Sequence, residues 1–447
     1  MTYRFRFAPS PTGFLHIGNV RMALINYMLA KSMGGEFILR IDNTDSTRSL
    51  QEYIDALKED LQWLGLQWDD TFSQIDHLDK YNEILNQCIE RGIIYPCYET
   101  PEELSLKRKL LLKQGLPPIY DRAMLNISDQ QKQKYIDEGR KPHYRFKVEH
   151  KLIKWNDLCK GEVEFHGANI SDPVLVRNDG SFLYILTSVV DDINSNITHI
   201  VRGEDHISNT AVQIQLFEAL GAKVPNMIHL PLITQQSGGV FSKRDNSLSI
   251  RNLRAQNIMK ETIVYYLFII GLSSMPEYTL NLQDLVKQFD LSSYSNSSAI
   301  FDLQKLDQTN SHILSLYSEE QINTILKENS QDAISDKAWD LIKQNVTNIE
   351  SIKQWTTILD AQYLPTVTIE KNADLINILL SSIPNKLDQN NIKTWLDEVK
   401  SASGIKNKEL FLSIRQYITG TNQGPNIQPL LLYLDSDIIK KRLKALS

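Results

Sequence analysis

Strand and helix signals alternate along the first part of this chain, and that alternation strongly limits the folds it can adopt. Residues 4–7 alternate polar and apolar side chains, and a Pro/Gly-rich break follows at residues 9–13. Helical periodicity runs over residues 18–31, a buried strand is predicted at 37–41, and a second helix at 50–64. Since strands that alternate with helices build parallel sheets with covering helices, the sequence predicts an α/β domain.

The regular alternation of strand and helix signals is interrupted between about residues 97 and 172. Residues 107–113 are strongly basic, and residues 115–118 are typical of a break between elements. Residues 129–140 are typical of a charged helix, and residues 143–148 of a strand. We therefore expect this segment to be an insertion into the sheet domain.

The alternation resumes after the insertion, with a strand predicted at residues 183–190, a helix at 205–220 and a strand at 227–233. The two halves of the sheet domain are then expected at residues 1–96 and 173–245. A parallel sheet assembled from two such halves remains one domain.

A polar, serine-rich break at residues 292–298 precedes a part of the chain with helical periodicity and few strand signals. Helices are predicted there at residues 319–327, 336–344, 374–383 and 391–402. The sequence therefore predicts an all-α second half at residues 306–447.

The overall charge argues against nucleic-acid binding by bulk electrostatics. The formal net charge is −6 and the pI is about 5.9, the wrong sign for a protein that attracts phosphates over its whole surface. Any such binding depends on local basic runs, such as residues 107–113 and the tail Lys440-Lys441-Arg442-Leu443-Lys444. The tail is equally typical of a helix C-terminus whose cations balance the helix dipole.

Composition and cysteine usage exclude several classes of protein. Hydrophobic residues make up 42% and charged residues 23%, so a packed core can form and a wholly disordered chain is excluded. The longest apolar run, 263–272, is shorter than the roughly 20 residues that span a bilayer, and residues 1–6 lack the apolar stretch of a secretory signal. Cys88, Cys97 and Cys159 have no CxxC spacing, which excludes a disulfide framework and a four-thiolate zinc site and favours a reducing cytoplasm.

A Pro/Gly-rich loop connects the first predicted strand to the first predicted helix. Its sequence is Pro9-Ser10-Pro11-Thr12-Gly13-Phe14-Leu15-His16-Ile17-Gly18-Asn19. Backbone N–H groups and the helix dipole make such a helix start an anion site. His16 can donate to a phosphate there, and Gly18 lets a phosphate approach the backbone. His-x-Gly also recurs in ordinary loops, so the motif alone leaves both interpretations open.

Two further segments carry groups suited to a phosphate site or a pocket. The segment Gly238-Gly239-Val240-Phe241-Ser242-Lys243-Arg244-Asp245 predicts a mobile loop that brings cations to a polyphosphate, and a solvated turn fits it equally well. Asp191-Asp192 is followed by Arg202-Gly203-Glu204-Asp205 at the end of a predicted strand, and together they predict a pocket rim, although Asp205 can also cap the following helix.

Taken together, these blocks resemble one family. Residues 6–18 match the pattern RxAPSPTGxxHxG, His16-Ile17-Gly18-Asn19 stands where a HIGH signature belongs, and residues 240–244 stand where a KMSKS-type loop belongs. Further matching blocks, in the family's order, are residues 40–45, 120–122, 179–180 with Tyr184, 202–205, 301–306, 419–420 and 424–425. The sequence thus resembles the bacterial-type glutamyl-tRNA synthetases, which are class I aminoacyl-tRNA synthetases, over essentially the whole chain.

The resemblance implies an α/β Rossmann-like catalytic domain with an inserted α+β acceptor-binding subdomain, followed by an all-α anticodon-binding half. The catalytic domain is expected at residues 1–305, the acceptor-binding insertion at 97–172, and a helical stem-contact region at 246–305. Residues 306–447 are then the anticodon-binding domain. The partners implied are tRNA-Glu, L-glutamate and ATP, with no membrane, for an enzyme expected to be a cytoplasmic monomer.

The resemblance also implies a reaction and the residues that perform it. Members activate glutamate with ATP to glutamyl-adenylate and transfer it to the 3′ end of tRNA-Glu, with Mg²⁺ accompanying ATP. The residues expected to bind ATP are His16, Gly18, Asp205, Leu232 and Lys243. Catalysis is expected to use His16, Gly18, Ser242, Lys243 and Arg244. The glutamate pocket is expected to contain Arg6, Ala8, Ser10, Asp42, Tyr184, Ser188 and Arg202, in which an arginine pairs with the substrate carboxylate.

Three positions depart from the family's pattern. Val240 stands where the KMSKS-type loop usually begins with Lys or Arg, so one cation is missing. Asp42-Asn43 replaces the usual Glu-Asp, and Ser188 is smaller than the polar residue of many relatives. Some relatives hold zinc in the insertion, but only Cys97 and the distant Cys159 occur there, so no zinc or other bound metal is expected.

Several alternatives remain open from the sequence. Small nucleotidyltransferases share the HxGH-type loop and suit an acidic pI, but neither they nor the short relatives that glutamylate a tRNA base need a helical second half. A non-discriminating or tRNA-Gln-preferring enzyme has the same motifs, because that choice depends on anticodon-reading residues that one sequence does not identify. An inactive tRNA-binding paralogue is favoured by Val240 alone.

Overall fold

The computed structural model describes residues 2–45, 47–235 and 248–446. The chain forms two compact units. The first comprises Met1–Gln256, Ile263–Glu277 and Asn281–Asp302, and the second comprises Asn257–Thr262, Tyr278–Leu280 and Leu303–Ser447. Each unit has its own set of elements and its own buried side chains.

The first unit contains all of the strands in the described residues. These are β1 (Arg4–Phe7), β2 (Glu36–Ile41), β3 (Asp70–Ser73), β4 (Ile94–Cys97), β5 (His143–Phe146), β6 (Leu152–Asp157), β7 (Gly161–His166), β8 (Val174–Val176), β9 (His199–Gly203), β10 (Asn226–Leu230), β11 (Ile233–Thr234) and β12 (Ala299–Ile300).

The helices of the first unit flank these strands. They are α1 (Ile17–Ser32), α2 (Gln51–Trp63), α3 (Leu78–Glu90), α4 (Pro101–Lys113), α5 (Asp129–Asp137), α6 (Tyr184–Asn194), α7 (Ile207–Ala219), α8 (Ile250–Ala255), most of α9 (Lys260–Ile269) and α10 (Leu282–Gln288). No helix among the described residues of the chain is both long and apolar enough to cross a membrane.

The main sheet has seven strands in the order β3-β2-β1-β9-β10-β6-β7. Strand β1 pairs in parallel with β2 on one side, with Arg6 opposite Ile38, and with β9 on the other. The first half of the sheet therefore extends away from β1 in one direction, and β9 and β10 extend in the other. In open parallel sheets, ligands bind at the carboxyl ends of the strands beside such a reversal.

A second, three-stranded antiparallel sheet has the order β4-β5-β8. It lies next to α4 and α5 in sequence, which gives the predicted insertion its mixed helix and strand content. Two other strands of residues 97–172 behave differently. The antiparallel hairpin of β6 and β7 joins the edge of the main sheet, where Asp157 pairs in parallel with Met227 of β10.

Most of the predicted elements of the first unit are confirmed. The helices expected at 18–31 and 50–64 are α1 and α2, and the buried strand at 37–41 is β2. The helix expected at 205–220 consists of a 3₁₀ turn, Glu204–His206, followed by α7.

The strand predicted at residues 183–190 is wrong, because the segment forms helix α6. Its β-branched and apolar side chains favour a strand by propensity. Packing overrides that preference: Leu186 and Val189 are fully buried in the same cluster as Leu216 of α7. The helix ends with Asp191 and Asp192 inside the unit, where both carboxylates find partners.

All of the regular secondary structure in the described residues of the second unit is helical. Its helices are α11 (Leu303–Leu316), α12 (Glu319–Glu328), α13 (Asp336–Ile342), α14 (Ile349–Leu359), α15 (Ala373–Ser382), α16 (Ile392–Ser403), α17 (Asn407–Thr419) and α18 (Ile427–Lys444). Trp339, Trp395 and Tyr417 are among its largest fully buried side chains. The fold class expected from the sequence, a Rossmann-like domain followed by an all-α half, is confirmed.

Candidate functional site

A cavity of about 640 Å³ opens at the carboxyl ends of β1 and β9, where the sheet order reverses. Its walls come from the ends of β1 and β9, the loop before α1, and the segment after β10. The residues that line it are Arg6, Phe7, Ala8, Pro9, Ser10, Thr12, Gly13, Phe14, Leu15, His16, Gly18, Asn19, Met22, Asp42, Leu57, Tyr184, Val201, Arg202, Gly203, Asp205, His206, Leu232 and Ile233.

His16 is the N-cap of α1, in an extended backbone conformation. Its Nδ1 accepts a hydrogen bond of 3.1 Å from the backbone N–H of Gly18. Because Nδ1 is the acceptor, the proton of the neutral ring lies on Nε2, which is therefore a donor. The N-terminus of α1 thus presents both its dipole and an imidazole N–H to the cavity wall.

Gly18 has no room for a side chain while the ring of His16 is in this position. A Cβ at residue 18 would lie 3.0 Å from Cε1 and 3.1 Å from Nδ1 of His16. The glycine therefore leaves space for the ring, which the backbone N–H of Gly18 holds, and keeps the backbone open.

Two buried arginines and two aspartates form an ion-pair cluster on one side of the cavity. Arg40 Nη1 and Arg6 Nε both donate to Oδ1 of Asp192, at 2.8 and 3.1 Å. Arg40 also donates to both oxygens of Asp42, from Nε at 2.6 Å and from Nη2 at 3.2 Å. Burial raises the pKa of Asp42, against the opposing effect of Arg40. The cluster presents an oriented carboxylate, Asp42, to the cavity.

Asp191 anchors the end of α6 behind this cluster. Tyr81 donates its hydroxyl to the Asp191 carboxylate at 2.8 Å, and the side chain of Gln74 donates at 2.8 Å. His77 Nδ1 lies 2.8 Å from the same group. The carboxylate is therefore occupied by its own partners, which holds α6, and with it Asp192, in place.

Arg202 lies at the end of β9, 6% exposed, and its partners are neutral. Its Nε donates to His229 Nε2 at 3.1 Å, its Nη1 to the Tyr184 hydroxyl at 3.0 Å, and its Nη2 to Thr210 Oγ1 at 2.5 Å. None of the ion pairs formed by the described residues includes Arg202. Burial lowers the pKa of Arg202, yet a guanidinium stays protonated. A buried cation without a counterion therefore faces the cavity.

His229, on the neighbouring strand β10, lies directly opposite Arg202 in the register. It is fully buried, and its Nδ1 lies 2.5 Å from Oδ2 of Asp157. Although burial opposes ionisation of Asp157, hydrogen bonds from His229 and from three backbone N–H groups lower its pKa. Burial lowers the pKa of His229, so its ring is neutral, with the proton on Nδ1.

The two arginines of the cavity shift the pKa values of the ionisable groups beside them. Burial alone raises the pKa of the Tyr184 phenol, but Arg202 and Arg6 outweigh it and the net shift is downward. Burial lowers the pKa of His206, and the same two arginines lower it further. An anion placed between these groups is stabilised by the guanidinium of Arg202 and, in part, by that of Arg6, which is paired with Asp192.

The cavity lining is closely packed around Gly203, which follows Arg202. A Cβ at Gly203 would lie 2.5 Å from Oδ1 of Asp205 and 2.8 Å from Cδ2 of Leu232, so both side chains approach the backbone as closely as glycine permits. Behind Leu232, the buried Arg21 of α1 donates to the carbonyl of Pro231 at 2.7 Å and to that of Ile270 at 3.2 Å. Leu232 and Ile233 add apolar surface to this part of the lining, which suits a ring attached to phosphates.

The structure brings most of the expected site residues to one place. Those that line the cavity are Arg6, Ala8, Ser10, His16, Gly18, Asp42, Tyr184, Arg202, Asp205 and Leu232. Asp205 lines the cavity but does not cap α7, whose N-cap, His206, makes no side-chain capping bond. Ser188 is fully buried behind the wall, where its Oγ accepts from Arg40 Nη2 at 2.9 Å. Val240, Ser242, Lys243 and Arg244 lie outside the described residues.

Asp191 and Asp192, expected at a pocket rim, do not line the cavity, and Asp192 instead accepts hydrogen bonds from Arg6 and Arg40. Three residues that organise the site were missed from the sequence: Arg40, His229 and Asp157. Two of them carried a usable signal, because Arg40 and His229 are polar residues within otherwise apolar predicted strands. Among the residues that the structure describes, no group of three His, Cys, Asp or Glu side chains could hold a metal ion.

Comparisons with known proteins agree with this architecture. Residues 2–308 match the family model for the catalytic domain of tRNA synthetases class I (E and Q), and residues 326–446 match an anticodon binding domain. Glutamate–tRNA ligase 1 of Rickettsia felis is 43% identical over 441 residues, 98% of each chain. Glutamate–tRNA ligase 1 of Wolbachia pipientis is 41% identical and covers 98% of this chain and 97% of its own. A crystal structure of a glutamate tRNA ligase from Elizabethkingia meningosepticum, in complex with its amino acid, superposes with a TM-score of 0.84 at 26% identity, covering 100% of this chain and 99% of that one.

Proposed function

This chain belongs to the class I tRNA synthetases of the E and Q type, and we propose that it is a glutamate–tRNA ligase. It activates L-glutamate with ATP to glutamyl-adenylate and pyrophosphate. It then transfers the glutamyl group to the 3′ end of tRNA-Glu. The similarity to curated glutamate–tRNA ligases over nearly their full length supports this assignment.

The single observation that carries the choice of amino acid is the buried, uncompensated cation of Arg202. The γ-carboxylate of glutamate supplies the missing counterion and accepts hydrogen bonds from the guanidinium. Glutamine leaves that cation unpaired, and a polar mismatch in a buried site discriminates strongly. Tyr184, which Arg202 already holds at 3.0 Å, limits the pocket at the same end.

The other end of glutamate fits the ion-pair cluster. Asp42 is held by two bonds from Arg40 and presents its carboxylate to the α-ammonium group. Arg6 Nε is paired with Asp192, so its charge is partly compensated and is suited to orienting the substrate beside Ala8 and Ser10. Ser188 takes part from behind, through Arg40.

ATP is proposed to lie across the N-terminus of α1. The His16 Nε2–H and the backbone N–H groups there donate to phosphate oxygens, and Gly18 keeps the backbone accessible. Leu232 borders the adenine and Asp205 the ribose side of the same cavity. Mg²⁺ accompanies ATP, held largely by phosphates and water. Ser242, Lys243 and Arg244 are proposed from the sequence to neutralise charge as pyrophosphate leaves.

The first step forms one bond and breaks one. An oxygen of the glutamate α-carboxylate attacks the α-phosphorus of ATP in line, and the bond to pyrophosphate breaks. The carboxylate is already a nucleophile, so the protein supplies positioning and charge stabilisation rather than a general base. In the second step the oxygen of a terminal ribose hydroxyl attacks the acyl carbon, the hydroxyl proton passes to the departing phosphate or to water, and the bond from the acyl carbon to AMP breaks.

The remaining parts of the chain are assigned to tRNA. Residues 97–172 are proposed to contact the acceptor end and residues 246–305 the stem. Residues 306–447 are proposed to bind the anticodon, whose unpaired bases a protein can recognise by stacking and by contacts to their edges. The match of residues 326–446 to an anticodon binding domain supports the last assignment. We propose that the enzyme is monomeric and cytoplasmic, like the translation enzymes it resembles.

Glutamate attachment to separate tRNA-Glu and tRNA-Gln transcripts, with ATP and Mg²⁺, tests the proposal. We expect charging of tRNA-Glu that is lost in the Arg202→Gln and Lys243→Ala variants. Charging of tRNA-Gln as well identifies a non-discriminating enzyme. Charging of tRNA-Gln alone identifies a tRNA-Gln-preferring enzyme, and a glutamyl-tRNA amidotransferase is then required. Binding of tRNA without charging of either overturns the proposal.

An inactive tRNA-binding paralogue is the second candidate, and Val240 is the residue that favours it. If the wild type does not charge tRNA but Val240→Lys restores charging, the missing cation in that loop is the cause. We expect instead that the wild type is active and that Val240→Lys changes its rate by less than about 10-fold, because one added charge in a solvated loop contributes about 1 kcal/mol or less.

A further inference from the structure

We propose that His229 and Asp157 are positioning residues that set the preference for glutamate over glutamine. They act by holding Arg202 through a neutral hydrogen-bond acceptor, so that the guanidinium is oriented but its charge is left for the substrate. The inference rests on the proposed function, since it concerns the part of that same site that is proposed to bind the γ-carboxylate of glutamate. Neither residue lines the cavity.

The geometry fixes the guanidinium at its rear edge. His229 Nε2 accepts from Arg202 Nε at 3.1 Å and lies 2.9 Å from Thr210 Oγ1, which in turn accepts from Arg202 Nη2. The three groups therefore form a closed set of hydrogen bonds in which every partner of Arg202 is neutral. These bonds set the orientation of the Arg202 guanidinium. No carboxylate of the described residues bonds to it, so its charge remains available to a ligand.

Asp157 decides which nitrogen of His229 is the acceptor. Its Oδ2 accepts a hydrogen bond of 2.5 Å from the Nδ1–H of His229. The other ring nitrogen, Nε2, therefore carries no proton and can accept from Arg202. Its Oδ1 is held by the backbone N–H groups of Cys159, Lys160 and His229, at 3.0, 3.0 and 3.1 Å. The carboxylate therefore cannot turn towards Arg202, and its negative charge stays one imidazole ring away from the guanidinium.

The neutral ring matters because selectivity depends on an unpaired charge. A carboxylate in direct contact with Arg202 neutralises it, and the pocket then gains little more from a charged γ-carboxylate than from a neutral amide. A protonated His229 loses its acceptor and repels the guanidinium, and burial opposes that protonation by lowering the pKa of His229. The arrangement thus orients the guanidinium of Arg202 without neutralising its charge.

Substitutions at residue 229 separate orientation from charge. His229→Gln keeps a neutral acceptor at a similar reach, and His229→Glu places a carboxylate there. We measure kcat/KM for glutamate and for glutamine by ATP–pyrophosphate exchange, with tRNA present. The Glu variant is expected to lower the glutamate-to-glutamine ratio by about 100-fold, and the Gln variant by less than about 5-fold.

His199→Gln is the matched control, because His199 is a buried, hydrogen-bonded histidine at the other end of β9 that makes no bond to Arg202. The ratio is expected to stay at the wild-type value in this variant. A Glu variant that keeps the wild-type ratio, or Gln and Glu variants that lower it equally, overturns the inference.

Asp157→Asn is the second test and applies if His229→Glu does not fold. An amide at residue 157 can donate to Nδ1, which moves the ring proton to Nε2 and points it at Arg202. We expect a rise of at least about 10-fold in the KM for glutamate with an unchanged KM for ATP. A rise in both constants together, or in neither, contradicts the inference. ATP–pyrophosphate exchange with glutamate by the wild-type protein tests the proposed function separately. If the wild type shows no exchange, the proposed function fails, and the comparison of variants is not reached.

Discussion

Arg40 holds Asp42 through two hydrogen bonds, from Nε to Oδ1 at 2.6 Å and from Nη2 to Oδ2 at 3.2 Å. The two side chains project from consecutive parts of the same segment, at the end of β2 and just beyond it. Arg40 is 1% exposed, and Asp42 lines the cavity. The buried arginine therefore fixes the direction of a carboxylate that faces the proposed amino group of the substrate.

Asp42→Asn is expected to raise the KM for glutamate by roughly 10- to 100-fold and to leave the KM for ATP within about 2-fold. The amide removes the negative charge that attracts the ammonium group and leaves Arg40 less compensated, which repels it. Steady-state exchange kinetics in both substrates measure the effect. Asp45→Asn is the control, because Asp45 is a carboxylate of the same loop that pairs with Arg48. An unchanged KM for glutamate removes Asp42 from the substrate site.

Gly18→Ala is expected to lower kcat for glutamate activation about 10-fold, with a change in stability below about 1 kcal/mol. The new Cβ would lie 3.0 Å from the His16 ring, so the ring must move away from the phosphates. Alanine's better helix propensity offsets part of the stability cost. When Gly18→Ala is combined with His16→Ala, there is no imidazole ring for the new Cβ to displace. The double variant is therefore expected to be no slower than His16→Ala alone. Additive losses in that cycle contradict the link between the two residues.

The fold class and most of the cavity wall could be predicted because they depend on local signals. The loop before α1 carries its function in consecutive residues, and the strand-helix alternation determines where that loop lies. Arg202 was found in the same way, as a charged residue at the end of a predicted strand. Such residues need only the direction of the strand to be placed at the site.

The residues behind the wall could not be placed, because their partners are distant in sequence. Asp157 reaches His229 only because the β6–β7 hairpin joins the edge of the main sheet beside β10. Asp192 pairs with Arg6 and Arg40 only because residues 184–194 form a helix, where the composition favours a strand. Local propensity does not contain this information, since tertiary packing decides it.

Arg21→Met is expected to lower the free energy of unfolding by about 2 to 3 kcal/mol and to raise the KM for ATP several-fold. Arg21 is buried and donates to the carbonyls of Pro231 and Ile270, so its removal leaves both acceptors unsatisfied next to Leu232. Thermal or urea unfolding and exchange kinetics measure the two effects.

Arg91→Met provides the comparison for Arg21, because Arg91 is an exposed arginine that also donates to one carbonyl, that of Ala219. We expect it to change stability by less than about 0.5 kcal/mol. Equal effects of the two variants show that burial of Arg21 contributes nothing. A loss of stability with an unchanged KM for ATP shows that the Pro231 segment does not depend on Arg21.

Asp60 of α2 is fully buried, and neither of its carboxylate oxygens has a hydrogen-bond partner among the described residues. Burial raises the pKa of Asp60 to about 6. Unfolded aspartate titrates near pH 4, so from about pH 4 to 6 the unfolded chain releases this proton while the folded chain keeps it. The side chain therefore stabilises the fold below about pH 4, relative to neutral pH, and this contribution is lost as the pH rises through about 6.

Asp60→Asn removes that titration and is expected to stabilise the protein by roughly 2 kcal/mol at pH 8 but by little at pH 4. Urea unfolding at several pH values gives the difference from the wild type, which should rise between about pH 4 and 6 and then stay level. Asp55→Asn is the control, because Asp55 is an exposed carboxylate on the same helix. A pH-independent difference would mean that Asp60 is ionised in the folded protein, with its charge balanced by groups such as Arg251.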